Sequence, residues 1–205
     1  MEKNEISKAS LGRVPIYINY IEALPQDTVH VSATKIAKDV GLGEVQVRKD
    51  LSLFCKNGKP KVGYEKEELL RSLKEFLFAQ DGNAIVVGAG RLGKALLEYS
   101  GFEAYGIHVL TAFDHSVDSE LKLPSGKSVL PSSEMTAYCQ SHEVHIGIIA
   151  APSDSAQAVL NQLYACGIKR IWCFAQCSLY TPADVIIRYE NLALSLAHLK
   201  LQSNQ

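Results

Sequence analysis

Apolar residues in the N-terminal part of the chain recur at helical spacing. Ile16, Tyr17, Tyr20, Ile21 and Leu24 follow Pro15, which suits the first turn of a helix because its missing N–H costs nothing there, and Pro25 ends the run. Ser32 is placed to cap a short helix over Ile36–Val40, which Gly41-Leu42-Gly43 breaks. A third helix, from Glu44 to Phe54, sets Val45, Val47, Leu51 and Phe54 on or near one face and Gln46, Arg48, Lys49 and Ser52 on the other. Gly58-Lys59-Pro60-Lys61-Val62-Gly63-Tyr64 has the composition of a tight hairpin, with two lysines projecting from it. Glu65–Phe78 is amphipathic and acidic in its first turn, as a helix dipole favours, and Gln80-Asp81-Gly82-Asn83 reads as a loop and domain boundary.

Beyond that loop the apolar residues come in short runs. Ala84–Val87, His108–Phe113, Val144–Ala150, Arg170–Phe174 and Val185–Ile187 read as strands, interleaved with helices over Lys94–Tyr99 and Ser155–Cys166. Such alternation predicts a parallel sheet with helices on both faces. Asn191–Leu201 is apolar around most of its circumference, so it is expected to be a core element or a dimer contact.

Composition narrows the class. At 205 residues, 47% hydrophobic and 21% charged, the chain is an ordinary globular sequence and neither disordered nor fibrous. No apolar run approaches the roughly 18 residues of a membrane span, and Met1–Glu5 lacks the apolar stretch of a signal peptide, which predicts a cytoplasmic protein with no membrane partner. The net charge of −1 hides a division: residues 1–80 carry 13 Lys+Arg against 11 Asp+Glu, and residues 81–205 carry 8 against 11. Five cations (Arg48, Lys49, Lys56, Lys59, Lys61) and one acid (Asp50) fall within Arg48–Lys61, a local density suited to phosphates. Helix, short helix, glycine turn, basic helix and basic hairpin is the order of a winged helix-turn-helix, whose third helix enters the major groove while the hairpin reaches backbone or minor groove. A small helical bundle with a solvated charged face has the same pattern. The 5 cysteines include no C-x-x-C pair, so neither a disulfide framework nor a zinc site is expected. Cys173 and Cys177 could oxidise together, but their flanks read as buried strand, where thiols serve as small apolar groups.

Gly88-Ala89-Gly90-Arg91-Leu92-Gly93 is a G-x-G-x-x-G that follows an apolar strand, opens a helix and precedes an acid, Asp114, at the end of the next strand. That context is the fingerprint of a dinucleotide site. Gly88 permits the turn, Gly90 lets backbone approach a pyrophosphate, and Gly93 lets helix and strand pack, so that the helix N–H groups face the phosphates. Asp114 can accept from both ribose hydroxyls of NAD and repels a 2′-phosphate, while neighbouring Arg91 and His115 could soften that preference. Ala150-Ala151-Pro152, at another strand end, either lines the same crevice or is simply a structural strand stop.

These stretches together resemble the Rex redox-sensing transcriptional repressors. The resemblance runs from about Arg13 to Leu201 and is carried by Arg13-Val14-Pro15-Ile16-Tyr17, Gln46-Val47-Arg48-Lys49-Asp50-Leu51-Ser52, Val62-Gly63-Tyr64, Val87–Leu96, Tyr99-Ser100-Gly101-Phe102, Ala112-Phe113-Asp114 and Ala165–Lys169. It implies a winged-helix DNA-binding domain over residues 1–80, a Rossmann NAD(H)-binding domain over 81–190, and a helix over 191–205 exchanged between the subunits of a homodimer. It implies a non-enzymatic repressor, with no catalytic residue and no metal, whose affinity for double-stranded operator DNA follows the NADH/NAD⁺ ratio. Gln46, Arg48, Lys49 and Ser52 then lie on the recognition helix, Lys59 and Lys61 on the wing, and Ser32 and Lys56 beside them on the DNA face. Tyr99 matches a tyrosine near the nicotinamide, and Phe174 a residue of the motif after the fifth strand.

The sequence also departs from that family. Asn19 and Asn191 stand where many members have an arginine and an aspartate, Pro60-Lys61 where a basic residue and glycine are usual, and Cys173-Phe174-Ala175-Gln176 where the family tends to begin with asparagine and end with proline. One expectation is a neutral Asn19–Asn191 pair that weakens discrimination between NADH and NAD⁺; the other is that Asn191 simply caps the last helix. Two competing functions share the same residues: an NAD-dependent oxidoreductase, for which no substrate domain or marked general base is evident, and a nucleotide-binding module for CoA or another adenine nucleotide.

Overall fold

A computed structural model describes residues 6–79 and 82–202 of the chain; the expectations resting on Met1–Glu5, on Gln80 and Asp81 and on residues beyond Gln202 lie outside them. The chain divides into two compact units, residues 1–80 and 81–205. No described helix is long and apolar enough to cross a membrane.

The first unit contains α1 (Lys8–Glu22), β1 (His30–Val31), α2 (Ala33–Val40), α3 (Glu44–Phe54), β2 (Tyr64–Glu65) and α4 (Lys66–Phe78). α1 begins well before Pro15, capped by the Ser7 hydroxyl, and carries the proline inside it, contrary to the first-turn placement. An interior proline costs about 3 kcal/mol. Val14, Tyr17, Ile18 and Ile21 flank it and are all buried, each contributing about 1.5–3 kcal/mol, so packing outweighs the local cost. Ser32 caps α2, its Oγ accepting from Lys35 N at 3.1 Å, and Gly41 at φ +70° closes that helix. Val47 and Leu51 anchor α3 in the core, whereas Val45 is 82% exposed and belongs with the polar face, one helical position off the apolar stripe assigned to it. β1 and β2 pair antiparallel beneath the hairpin, which closes through Lys59 and Gly63.

The second unit is a seven-stranded sheet in the order β5-β6-β4-β3-β7-β8-β9, from β3 (Asn83–Val87), β4 (His108–Asp114), β5 (Leu121–Lys122), β6 (Ser128–Pro131), β7 (Ile146–Ile149), β8 (Arg170–Cys173) and β9 (Ile186–Tyr189). Every pairing is parallel except β5 with β6. Side chains alternate between two cores. Ile85, Val87, Ile149 and Cys173 pack on one face with α6 (Met135–Ser141) and α7 (Ala156–Ala165); Ala84, Val86 and Ile148 pack on the other with α5 (Arg91–Glu98). On the α5 side, Phe102 of the 3₁₀ turn Ser100–Tyr105 packs edge-on against Trp172 of β8 and leaves the rest of that edge open. There Ile146, Ile148, Trp172 and Ile186 line an apolar hollow of about 500 Å³. α8 (Leu192–Gln202) exposes Leu192, Leu194, Leu196 and Leu199.

Candidate functional site

Strand order reverses at β3, which is flanked by β4 on one side and β7 on the other, and a crevice opens outside the carboxyl ends of such strands. Gly88 stands there at φ +99°, and a Cβ on it would lie 2.7 Å from the Ala150 carbonyl carbon, so only glycine fits. A Cβ on Gly93 would meet Gly88 O at 1.8 Å, which fixes how closely α5 approaches the turn, while one on Gly90 meets nothing within 4 Å. Gly90 therefore leaves free space at the α5 N-terminus, where backbone N–H groups and the helix dipole favour an anion.

Asp114 ends β4 and binds the turn directly. Its Oδ2 accepts from Ala89 N at 2.6 Å, and its Oδ1 from Ser116 N at 2.9 Å and Ser116 Oγ at 2.7 Å. Burial pushes this carboxyl up, but the Ser116 and Ala89 bonds bring it below its ordinary range, so it is a carboxylate at neutral pH. Gly88, Gly90, Asp114, His115, Ala150, Ala151 and Pro152 come together around a cleft of about 620 Å³. Ser116, Ser132, Ser155 and Gln162 also line it, and none of them carries a pattern that sequence reading could have picked out.

Other candidates lie elsewhere. Ala89 and Gly93 are buried beneath the turn, and Arg91 and Leu92 belong to the first turn of α5. Tyr99, 60% exposed, is at the opposite end of α5, about 12 Å of helix from the glycine turn, and stacks edge-on against Phe102. Phe174 packs on Trp172. Asn191 is the cap of α8: its Oδ1 accepts from Leu194 N at 2.9 Å, and its amide pairs reciprocally with Gln176 at 3.1 and 3.3 Å. Two departures from the family pattern, at 176 and 191, thus contact each other.

In the first unit the basic candidates form one surface. Val45, Arg48, Lys49 and Ser52 fall at i, i+3, i+4 and i+7 and make an exposed stripe along α3, with Gln46 beside it. Ser32, Thr34, Arg48, Lys59 and Lys61 border a hollow of about 590 Å³ between α2, α3 and the hairpin, while Lys56 is exposed nearby. Gly63 at φ +95° presses the hairpin onto β1, since a Cβ there would lie 2.4 Å from Val31 O. Lys61 holds φ +65°, a conformation uncommon for a side-chain-bearing residue. The stripe is held from behind by Asp50, 1% exposed, which accepts from Arg13 Nε at 2.6 Å, Arg13 Nη2 at 3.0 Å and the Tyr17 hydroxyl at 2.6 Å. All five cysteines are free thiols; Cys173 is buried and points at Ala175 O, at 3.9 Å.

Two family models match the chain, one described as "CoA binding domain" over residues 79–177 and one as "Putative DNA-binding protein N-terminus" over residues 5–52. The redox-sensing transcriptional repressor Rex of Carboxydothermus hydrogenoformans is 37% identical over 198 residues, 96% of this chain and 95% of that protein. Its counterpart in Bacteroides fragilis is 31% identical over 206 residues, 100% of this chain and 92% of that protein. Among solved structures, RSP in complex with β-NAD⁺ and operator DNA superposes with a TM-score of 0.85 at 31% identity, covering 98% of this chain and 94% of that one. RSP bound to β-NADH gives a TM-score of 0.84 over 98% and 96%.

Proposed function

Because the chain belongs to the Rex family of redox-sensing transcriptional repressors, we propose that it binds NADH and NAD⁺ at the Gly88–Gly93 turn and releases operator DNA in response to NADH. It is a repressor and not an enzyme. The observation that carries the nucleotide reading is Asp114, an ionised carboxylate tied to the turn at Ala89 and placed beside the cleft, where ribose hydroxyls replace water as its donors. The pyrophosphate then sits over Gly90, and the adenine side extends toward His115 and Ser132.

The α3 stripe enters the major groove, with Gln46, Arg48, Lys49 and Ser52 meeting base edges and phosphates and Val45 offering an apolar contact to a thymine methyl. Lys59 and Lys61 reach from the wing to the neighbouring backbone or minor groove, and Ser32 and Lys56 add phosphate contacts. The exposed leucines of α8 and the apolar hollow at β8 and β9 are complementary surfaces, and a second copy supplies what each lacks. In such a homodimer Tyr99, exposed and outside the lining of its own cleft, is placed to reach the nicotinamide bound by the second subunit. A target of operator DNA supports a cytoplasmic location.

The test is anisotropy titration of a duplex selected from a random pool, with no nucleotide, with NAD⁺ and with NADH. Binding should weaken with rising salt and weaken further with NADH. Duplex affinity indifferent to both nucleotides across their binding range defeats the reading.

A further inference from the structure

Cys139 lies in α6 and Cys166 caps the end of α7, on the sheet face that these helices cover. Cys166 Sγ is 4.0 Å from Thr136 Oγ1, and Thr136 is three residues before Cys139, on the same side of α6. Thr136 thus sets the Cys139 turn of α6 against the end of α7, which brings the two thiols close together across the helix pair. Both are half-buried, whereas Cys55 and Cys173 are sealed in the core.

We propose that Cys139 and Cys166 are a redox-active thiol pair, oxidised by hydrogen peroxide to a disulfide that ties α6 to the end of α7. Burial, reinforced by the neighbouring sulfur, pushes the Cys139 thiol up to about 12, so it stays protonated at neutral pH and Cys166 reacts first. The Cys166 sulfur attacks one peroxide oxygen, its proton passes to the departing oxygen, and water leaves a sulfenic acid behind. The Cys139 sulfur then attacks Cys166, and the sulfenic hydroxyl departs as a second water with the Cys139 proton. Two thiols lose two electrons, one peroxide becomes two waters, and a dithiol reverses the bond.

The site bears on ligand binding through the helices it joins. Ser132, in the 3₁₀ turn leading into α6, and Ser155, Ala158, Val159 and Gln162, at and along α7, form walls of the cleft. A disulfide fixes the spacing of those walls; this consequence rests on the dinucleotide reading above.

The experiment exposes the full-length protein to hydrogen peroxide, blocks remaining thiols by alkylation, and maps cross-linked peptides by mass spectrometry without reductant. The Cys139–Cys166 peptide is expected, lost on adding dithiothreitol. NADH titration by fluorescence should shift at least threefold on oxidation, return with dithiothreitol, and stay constant in Cys139→Ser and Cys166→Ser. A Cys173–Cys177 cross-link in its place, or both target thiols still separately alkylated after peroxide is consumed, overturns the pair. A formed disulfide with unchanged NADH affinity overturns its coupling to the cleft. Reduced protein that binds no NADH refutes the nucleotide reading instead, and the peptide map then judges the thiols alone.

Discussion

Asp50 in the N-terminal unit and Asp114 in the C-terminal unit each fix the element that meets the ligand, but they are neutralised differently. Asp50 is enclosed and faces a cation, Arg13, with Tyr17 as a second donor. Asp114 is only half-buried and held by neutral donors, Ala89 N and Ser116; the nearest cationic candidate, His115, stands 3.5 Å away and is 91% exposed. For both, burial raises the carboxyl and hydrogen bonds more than reverse it. The DNA-reading unit uses its carboxylate internally, to hold a helix whose exposed side chains do the reading. The nucleotide unit keeps its carboxylate uncompensated at the cleft edge, where a ligand's hydroxyls complete it.

The largest effect expected from this contrast follows removal of Asp50. Asp50→Ala leaves the Arg13 guanidinium, 15% exposed, with no anion and the Tyr17 hydroxyl with no acceptor, which costs about 3–5 kcal/mol. Urea denaturation followed by circular dichroism should show that loss, and anisotropy should show operator binding abolished. Acid should act through the same residue. Because folding holds the Asp50 carboxyl below its ordinary value of about 3.9, the associated stability is present above that pH and drains away as pH falls through the folded value. In Asp50→Asn that slope should vanish. An Asp50→Ala protein of unchanged stability removes the claim that α3 is held from behind by charge.

Next in size is a pair of glycines in the other unit. Gly93→Ala drives a Cβ to 1.8 Å from Gly88 O, backbone against backbone, for an overpacking cost of about 1–3 kcal/mol and a more than tenfold loss of NADH affinity. Gly90→Ala meets nothing within 4 Å in the protein, so thermal stability should hold while NADH binding falls, the methyl occupying the pyrophosphate's place. Equal destabilisation by both would mean that Gly90 serves the fold and not the ligand.

These distinctions were unevenly legible in the sequence. The glycine turn, Asp114 and the α3 basic stripe could be read because each rests on local chemistry: a turn, a strand end, a helix face. The stretch holding β5, β6 and α6 gave no expectation, since Leu121–Lys122 and Ser128–Pro131 are short and partly polar, and their assignment comes from pairing with β4. Val45 carries an apolar side chain on a polar face, so hydrophobic pattern misplaced it. The start of α1 was hidden by Pro15, whose local signal the core overrides. Cys139 and Cys166 meet only through tertiary packing, and no spacing rule connects them.

Asp114→Asn is the third test, of intermediate size. It keeps an oxygen acceptor for Ala89 N but exchanges charged hydrogen bonds of ~1.5–3 kcal/mol for neutral ones of ~0.5–1.5, so NADH affinity should fall about fivefold to tenfold. Loss of the charge also lifts repulsion of a 2′-phosphate, and the preference for NADH over NADPH should narrow. If NADPH was already bound as tightly by the parent, Asp114 does not select the ribose.

The smallest effect concerns Asn191, where the comparison between charged and neutral holding reaches α8. Its amide pairs with Gln176 and caps the helix, and both contacts are neutral, ~0.5–1.5 kcal/mol against ~1.5–3 for charged ones, so discrimination between NADH and NAD⁺ should be about tenfold weaker than a charged contact at this position would give. Asn191→Asp tests this cleanly. Asp and Asn cap helices about equally, so melting should move by less than about 0.5 kcal/mol. The new carboxylate still accepts from Leu194 N and Gln176 Nε2 but can no longer donate to Gln176 Oε1, which loosens one half of the latch and adds a charge that NAD⁺ and NADH, differing by one positive charge, feel unequally. Paired titrations should show the NADH/NAD⁺ affinity ratio moving threefold or more. A ratio that stays fixed assigns Asn191 to capping alone, and a parent ratio of several hundredfold places the discrimination at other residues.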